Sequence, residues 1–148
     1  MKRKGICLAL CFILAMSFIA IPTQAASNIS SEDTRTANGP LRYTYISSIT
    51  ADLDINSSGK TSCYGRVMLY NSSTPANLEV SLEKKTGSTW DSIKSWNEPS
   101  NNRQIFSLDN DWYVVSGYDY RVCVTVTVYN SNGAQVEKAS IYSKTVNY

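Results

Sequence analysis

Valine stands at every second position from 122 to 128, within the longest strict alternation of apolar and polar residues in the chain. Successive side chains of a β-strand point to opposite faces, so a period of two places all four valines on one face. β-Branched side chains are restricted at χ1 and pack well on a pleated sheet, so residue preference agrees with the pattern. The segment 114–129 therefore predicts a strand with one buried face.

Shorter alternating segments surround this strand, and turn sequences rich in Asn, Ser, Gly and Pro separate them. The predicted strands cover 49–55, 60–70, 78–83, 90–96, 104–108, 114–129 and 135–146. No segment of helix length shows a 3.6-residue period. About seven short strands with turns between them predict an all-β fold, a two-sheet antiparallel Greek-key sandwich.

The first 25 residues have the features of a secretory signal peptide. Lys2, Arg3 and Lys4 precede an apolar run over 6–21, and small residues at Thr23 and Ala25 predict cleavage after Ala25. A retained membrane anchor is the less favoured alternative, because the run is short for a span and no positive stop-transfer flank follows it. We expect a secreted, extracellular protein with no membrane segment after cleavage.

The predicted mature chain divides into a polar leader, 26–40, and one domain, 41–148. The leader is rich in Ser, Thr and Asn and has too few apolar side chains to offset the entropy of ordering, so it is predicted to be flexible. The chain has 14 basic and 12 acidic residues, and loss of three basic residues with the signal peptide leaves a net charge of −1. A nearly neutral protein without basic runs is not expected to bind nucleic acid.

The chain has no histidine. This excludes Ser-His-Asp and Cys-His catalysis and the common zinc sites. Asp109, Asp111 and Asp119 cluster in sequence, but they stand in predicted turns, where aspartate hydrogen-bonds its own backbone. We therefore expect no enzyme activity and no cofactor.

Asp52, Asp54 and Asn56 stand at alternate positions before Gly59, which weakly resembles a calcium-binding loop. The sixth position lacks glycine, the twelfth lacks glutamate, and the intervening Leu53 is apolar. The pattern is more typical of the solvent face of a strand, and no metal site is predicted.

Three tryptophans are the candidate ligand-binding residues. Trp90 and Trp96 are six residues apart, so they are predicted to share one face of the fourth strand, and Trp112 follows later. One interpretation buries Trp90 and Trp96 in the core. The other exposes them as a stacking surface for a glycan.

Val115-Ser116-Gly117 followed by Tyr120-Arg121-Val122 resembles the start of the sixth strand of immunoglobulin-like and fibronectin type III domains. The resemblance implies that Tyr120 forms a tyrosine corner, in which its hydroxyl bonds to the backbone a few residues upstream. The whole domain is also similar to a family of small secreted proteins of uncharacterised function from Gram-positive bacteria. The similar segments are 43–49, 82–85 with Trp90 and Trp96, 117–122 and 142–143. This likeness implies a compartment and a fold but no activity.

Cys63 and Cys123 are the two cysteines that remain after the predicted cleavage. A pair of cysteines in a secreted protein indicates a disulfide, and immunoglobulin domains join their sheets between the corresponding strands. The alternation of side chains along the strands opposes the bond. Cys123 alternates with the buried valines and so faces outward, while Cys63 shares a face with Val67. A β-bulge would repair the register, and two free thiols are the alternative.

Three functions of different class fit these observations. The first is a secreted, non-catalytic binding or adhesion module with an unknown protein or glycan partner. The second is a structural or self-assembling envelope component, because an unprotected sheet edge favours self-association. The third is a secreted effector against competitors, which rests on size and export alone.

Overall fold

The computed structural model describes residues 43–148, which form eight β-strands and no helix. The strands are β1 (Ile46–Ile55), β2 (Lys60–Leu69), β3 (Ala76–Thr86), β4 (Thr89–Pro99), β5 (Ile105–Tyr113), β6 (Asp119–Tyr129), β7 (Gln135–Tyr142) and β8 (Val146–Asn147). Nothing in this part of the chain is a helix with the length and hydropathy needed to cross a membrane. The predicted signal peptide and leader lie outside the described residues.

The strands form two antiparallel sheets that pack face to face. The three-stranded sheet has the order β1-β2-β5, and the five-stranded sheet has the order β4-β3-β6-β7, with β8 beside the start of β6. The predicted all-β, two-sheet antiparallel sandwich of about seven strands is confirmed. Several strand boundaries differ from the prediction, and the strand predicted over 114–129 begins only at Asp119. β5 continues to Tyr113 because Asp109 and Asp111 pair with β2 instead of turning, and the predicted last strand is interrupted between β7 and β8.

The valine face of β6 lies at the centre of the core. All four valines from 122 to 128 are fully buried, and they pack beside β3, whose Leu78, Val80 and Leu82 are also fully buried. The three-stranded sheet covers them with Leu53, Val67, Leu69 and Phe106. Full burial of a valine or leucine side chain contributes roughly 1.5–3 kcal/mol, so this face supplies much of the driving force for folding.

The two sheets approach each other closely at Gly65 of β2. A Cβ atom at this position would lie 2.4 Å from Val80 Cγ2 and 3.0 Å from Val124 Cγ2. Only a residue without a side chain allows β3 and β6 to approach β2 this closely. Gly65 is thus a packing requirement of the sandwich and not a turn residue.

A β-bulge in β4 overturns the prediction that Trp90 and Trp96 share a face. Leu82 pairs with Lys94 while the next residue, Glu83, pairs with Ser92, so Ile93 is an extra residue without a partner on β3. The extra residue reverses the alternation along β4. Trp96 therefore lies on the side of the core, and Trp90 lies on the outer face of the five-stranded sheet.

The structure also contradicts the disulfide between Cys63 and Cys123, since both are free thiols. Cys63 is fully buried between the sheets, whereas Cys123 is half-buried on the outer face of the five-stranded sheet. No register shift occurs at either cysteine. Without a bulge, the alternation of each strand keeps the two sulfur atoms on different sides of a sheet.

Candidate functional site

Tyr120 lies at the start of β6 with its ring in the core and its hydroxyl at the edge. The hydroxyl donates a hydrogen bond to the Val115 carbonyl, five residues upstream, at 2.7 Å. This is the geometry that the resemblance to immunoglobulin-like domains implies for this residue. Burial raises the pKa of the phenol, and the bond to the backbone opposes that shift. Tyr120 therefore fixes the connection between β5 and β6 and is not available to a ligand.

Trp90 belongs to an arginine cluster on the outer face, formed by Glu83, Trp90, Arg121 and Tyr142. The Arg121 guanidinium lies 4.2 Å from the Trp90 ring centroid and 3.8 Å from the Tyr142 ring centroid. Its Nε donates to Glu83 Oε2 at 2.6 Å. The Trp90 ring thus already contacts a cation, so it does not offer an unoccupied stacking face on that side.

Trp96 and Trp112 lie on the two edge strands that face each other across one side of the sandwich. Lys94 connects them, with its Nζ 5.9 Å from the Trp96 ring centroid and 4.7 Å from that of Trp112. Trp96 packs against the core, and Trp112 is 40% exposed. The structure therefore does not bring the three tryptophans together as one platform.

Some hydroxyl groups on the outer face of the five-stranded sheet bond to one another. The Ser81 and Ser92 hydroxyls are 2.6 Å apart, and Ser95 donates to Ser81 at 3.1 Å. Thr125 and Ser140 form a second pair at 2.8 Å. Burial raises the pKa of the neighbouring Cys123 thiol, which makes it a weaker nucleophile at neutral pH.

The aspartates that sequence patterns singled out are exposed strand residues or partners in ion pairs and hydrogen bonds. Asp52 and Asp54 are exposed on the outer side of β1, and Asn56 Oδ1 accepts bonds from the backbone N–H groups of Ser58 and Lys60. Lys60 also pairs with Asp111 at 2.5 Å. Within residues 43–148, no three side chains of the metal-binding types lie close enough together to hold a metal ion.

An open concave surface lies at the end of the sandwich where three connections emerge, which we call the loop end. The β2–β3, β4–β5 and β6–β7 connections all emerge here, because alternate turns of an antiparallel sandwich lie at the same end. At this end lies an open depression of about 390 Å³, the loop-end depression, lined by Pro75, Ala76, Asn77, Pro99, Ser100, Asn101, Asn102 and Tyr129.

Hydrogen bonds fix the floor of this depression. Ser100 N donates to Ala76 O at 2.8 Å, and Ala76 N donates to the Ser100 hydroxyl at 3.1 Å. Tyr129 N donates to Pro75 O at 2.9 Å, which ties β6 to the β2–β3 connection. Ser100 is buried, and these bonds tie the β4–β5 connection to the start of β3 and the β2–β3 connection to the end of β6.

Two successive asparagines form the rim. Asn101 and Asn102 have φ angles of 47° and 59°, a left-handed conformation that asparagine tolerates better than most residues. Both side chains are exposed. Sequence reasoning identified this segment as a turn but missed the site. The available signal was that Pro75, Pro99 and Tyr129 each stand beside a turn that emerges at one end.

A second depression, of about 290 Å³, lies at the opposite end of the sandwich, where β5 leads into β6. Its lining includes a charged pair, because Lys85 Nζ lies 3.8 Å from Asp119 Oδ2. Asn147 also donates to Asp119, at 2.8 Å. The polar side chains here form an ion pair and a hydrogen bond with one another, in contrast to the two asparagines at the rim of the loop-end depression.

Comparison of the chain with protein-family models, with curated proteins and with solved structures found no match.

Proposed function

We propose that this protein is a secreted, non-catalytic binding or adhesion module that holds its ligand at the loop end. The observation that carries the proposal is the loop-end depression, a concave surface at the ends of β3, β4 and β6 that the β2–β3 and β4–β5 connections partly line. Binding residues are commonly placed on loops that a rigid scaffold positions. The volume also falls within the usual range of small-ligand sites, about 300–1,000 Å³.

The outer face supports a non-catalytic role in this proposal. Its hydroxyl and thiol groups bond to one another, and the chain has no histidine that could act as their base. Export from a Gram-positive bacterium, and membership of an immunoglobulin-like class, also belong to the proposal. The N-terminal sequence supports the first, and the strand order with the Tyr120 bond supports the second.

The alternative of a self-assembling envelope component is less favoured because edge strand β4 carries features that hinder pairing. Ile93 forms a bulge, Lys94 places a charge in the strand, and Pro99 lacks a backbone donor. These are common devices that prevent edge-to-edge association.

The test compares binding of the purified mature chain, 26–148, to cell walls isolated from the producing organism. The variant N101G/N102G removes both rim amides, and glycine adopts the required positive φ angles without strain. We expect wall binding to weaken about fivefold for each amide hydrogen bond to the ligand that is removed.

The matched control is S88G/S116G, which removes two exposed polar side chains at the opposite end. It should bind as the unaltered chain does. Equal binding by both variants, or no binding by any of the three proteins, would refute the proposed function. Near-ultraviolet circular dichroism confirms that each variant keeps its fold.

A further inference from the structure

We propose that the loop-end depression takes a neutral saccharide ring. This inference rests on the proposed function and specifies its ligand class. It is argued from the charge, the hydrogen-bonding groups and the ring surfaces of the eight lining residues.

Charge decides against an ionic ligand. None of the lining residues carries a charge at neutral pH. The nearest guanidinium, that of Arg103, is already engaged. Its Nη2 pairs with Glu98 and donates to Pro99 O, and its Nε donates to Ser100 O at 3.1 Å. An acidic glycan or a phosphorylated ligand would lose its hydration here without gaining an ion pair.

The polar groups of the site suit a ligand with many hydroxyls. Asn77, Asn101 and Asn102 present primary amides, each of which combines two donors with one acceptor oxygen. Asn77 Nδ2 donates to Asn97 Oδ1 at 3.0 Å, which orients that amide. Sugar hydroxyls are also donors and acceptors at once, so adjacent hydroxyls match the two sides of an amide.

Ring surfaces complete the match. Pro75, Pro99 and Tyr129 bring two pyrrolidine rings and one phenol ring to the same depression. A pyranose has an apolar C–H face as well as polar edges, and C–H bonds are attracted to the negative face of an aromatic ring. A surface with rings and uncharged amides together therefore favours a saccharide over a purely polar ligand.

The site is also pre-organised for this ligand. The bonds between Ser100 and Ala76, and between Tyr129 and Pro75, hold the floor before a ligand arrives. Ser100 Oγ additionally donates to Thr74 O at 3.3 Å. A surface that is already ordered loses less conformational entropy on binding, which matters for a weak ligand such as a single sugar ring.

The experiment titrates the ¹⁵N-labelled mature chain with four probes and follows backbone and side-chain amide resonances. The neutral probes are tetramers of N-acetylglucosamine and of glucose. The acidic probe is a tetramer of galacturonate, and the peptide probe is an uncharged Gly-Ser peptide of similar length. We expect a neutral saccharide to shift the amide resonances of the non-proline lining residues, 76–77, 100–102 and 129, with a dissociation constant on the order of 1 mM.

Two further readouts separate this result from non-specific binding. The affinity should be unchanged between low salt and about 0.5 M NaCl, because no charges are paired. N101G/N102G should bind about fivefold more weakly for each amide hydrogen bond to the sugar that is removed, while S88G/S116G should bind normally.

The saccharide inference and the proposed function fail in different ways. Loop-end shifts with galacturonate or the peptide, but not with either neutral sugar, would overturn the saccharide class and leave a binding module at the loop end. Absence of loop-end shifts with all four probes would also overturn the saccharide class. The wall-binding comparison of the two variants then decides the proposed function separately.

Discussion

The two faces of the five-stranded sheet show how one sequence pattern produces two kinds of surface. Toward the core, β6 presents valines that contact other apolar side chains without directional bonds. On the outer face, the same strand presents Arg121, Cys123 and Thr125, each with a specific polar neighbour. The inner face stabilises the fold through burial of apolar side chains, and it tolerates little change in side-chain volume. The outer face contributes little to stability apart from the arginine cluster, and it should tolerate most substitutions.

The largest effect on stability is expected at Gly65, where β2 lies close to β3 and β6. Gly65→Ala should lower the free energy of unfolding by about 3 kcal/mol, at the upper end of the usual cost of overpacking. The physical reason is the 2.4 Å approach to Val80 Cγ2. Urea denaturation monitored by tryptophan fluorescence measures the change.

The double variant G65A/V80A provides the control for this prediction. Loss of the Val80 methyl groups makes room for the new Cβ atom, so the double variant should be more stable than the sum of the single variants implies. Strict additivity would show that the contact between β2 and β3 is not the cause.

The second prediction tests whether substitutions everywhere on the outer face leave the free energy of unfolding unchanged. Arg121→Met keeps an apolar stem between the two rings but leaves the Glu83 carboxylate, which is only 15% exposed, without its cation. We expect a loss of about 1–2 kcal/mol in the free energy of unfolding, typical of a hydrogen bond to a charged group.

Lys138→Met on the same face is the control, and it should change stability by less than about 0.5 kcal/mol. If Glu83→Gln is added to Arg121→Met, part of the loss should be recovered because the unpaired charge is removed. Equal effects of Arg121→Met and Lys138→Met would mean that the arginine cluster has no special role.

A smaller effect is expected at Tyr120, whose ring belongs to the inner face. Tyr120→Phe keeps the buried ring and removes the 2.7 Å bond to Val115 O. The free energy of unfolding should fall by about 1 kcal/mol, the net value of one hydrogen bond. Tyr118→Phe, on a 40% exposed neighbour, should have almost no effect. A reversed ranking of the two variants would argue against a tyrosine corner.

The reactivities of the two thiols test the difference between a buried face and the outer face without any substitution. In the native protein, iodoacetamide should modify the half-buried Cys123 and leave the fully buried Cys63 unmodified until the chain unfolds. Burial raises the pKa of the Cys123 thiol, so its thiolate fraction at neutral pH is low. Its modification rate should keep increasing above about pH 9, where an ordinary thiol has largely titrated.

Mass spectrometry of the denatured, unreduced protein completes this test. Two alkylated cysteines are expected, as the register of β2 and β6 requires. Recovery of unmodified cysteines that react only after reduction would restore the disulfide and require a bulge that the strand pairing lacks.

The sequence predicted the fold better than the site, for a physical reason. Alternation in β6 and turns such as 56–59 and 130–133 are local signals, and both were sufficient for a two-sheet sandwich. The prediction for Trp90 and Trp96 depended on an unbroken register in β4. A single extra residue, Ile93, reverses the faces of Trp90 and Trp96, and its position becomes evident only beside β3.

By itself, the sequence determined which side of β6 is buried, where several of the turns lie, and that histidine chemistry is absent. These properties depend on residue type and on spacings of two, so no partner strand is needed to derive them. Only the tertiary structure decided that Gly65 sets the distance between the sheets and that Cys63 and Cys123 remain apart. It alone brings Pro75, Asn102 and Tyr129 to one depression, because residues so distant in sequence become neighbours only when β3 pairs with β4 and with β6.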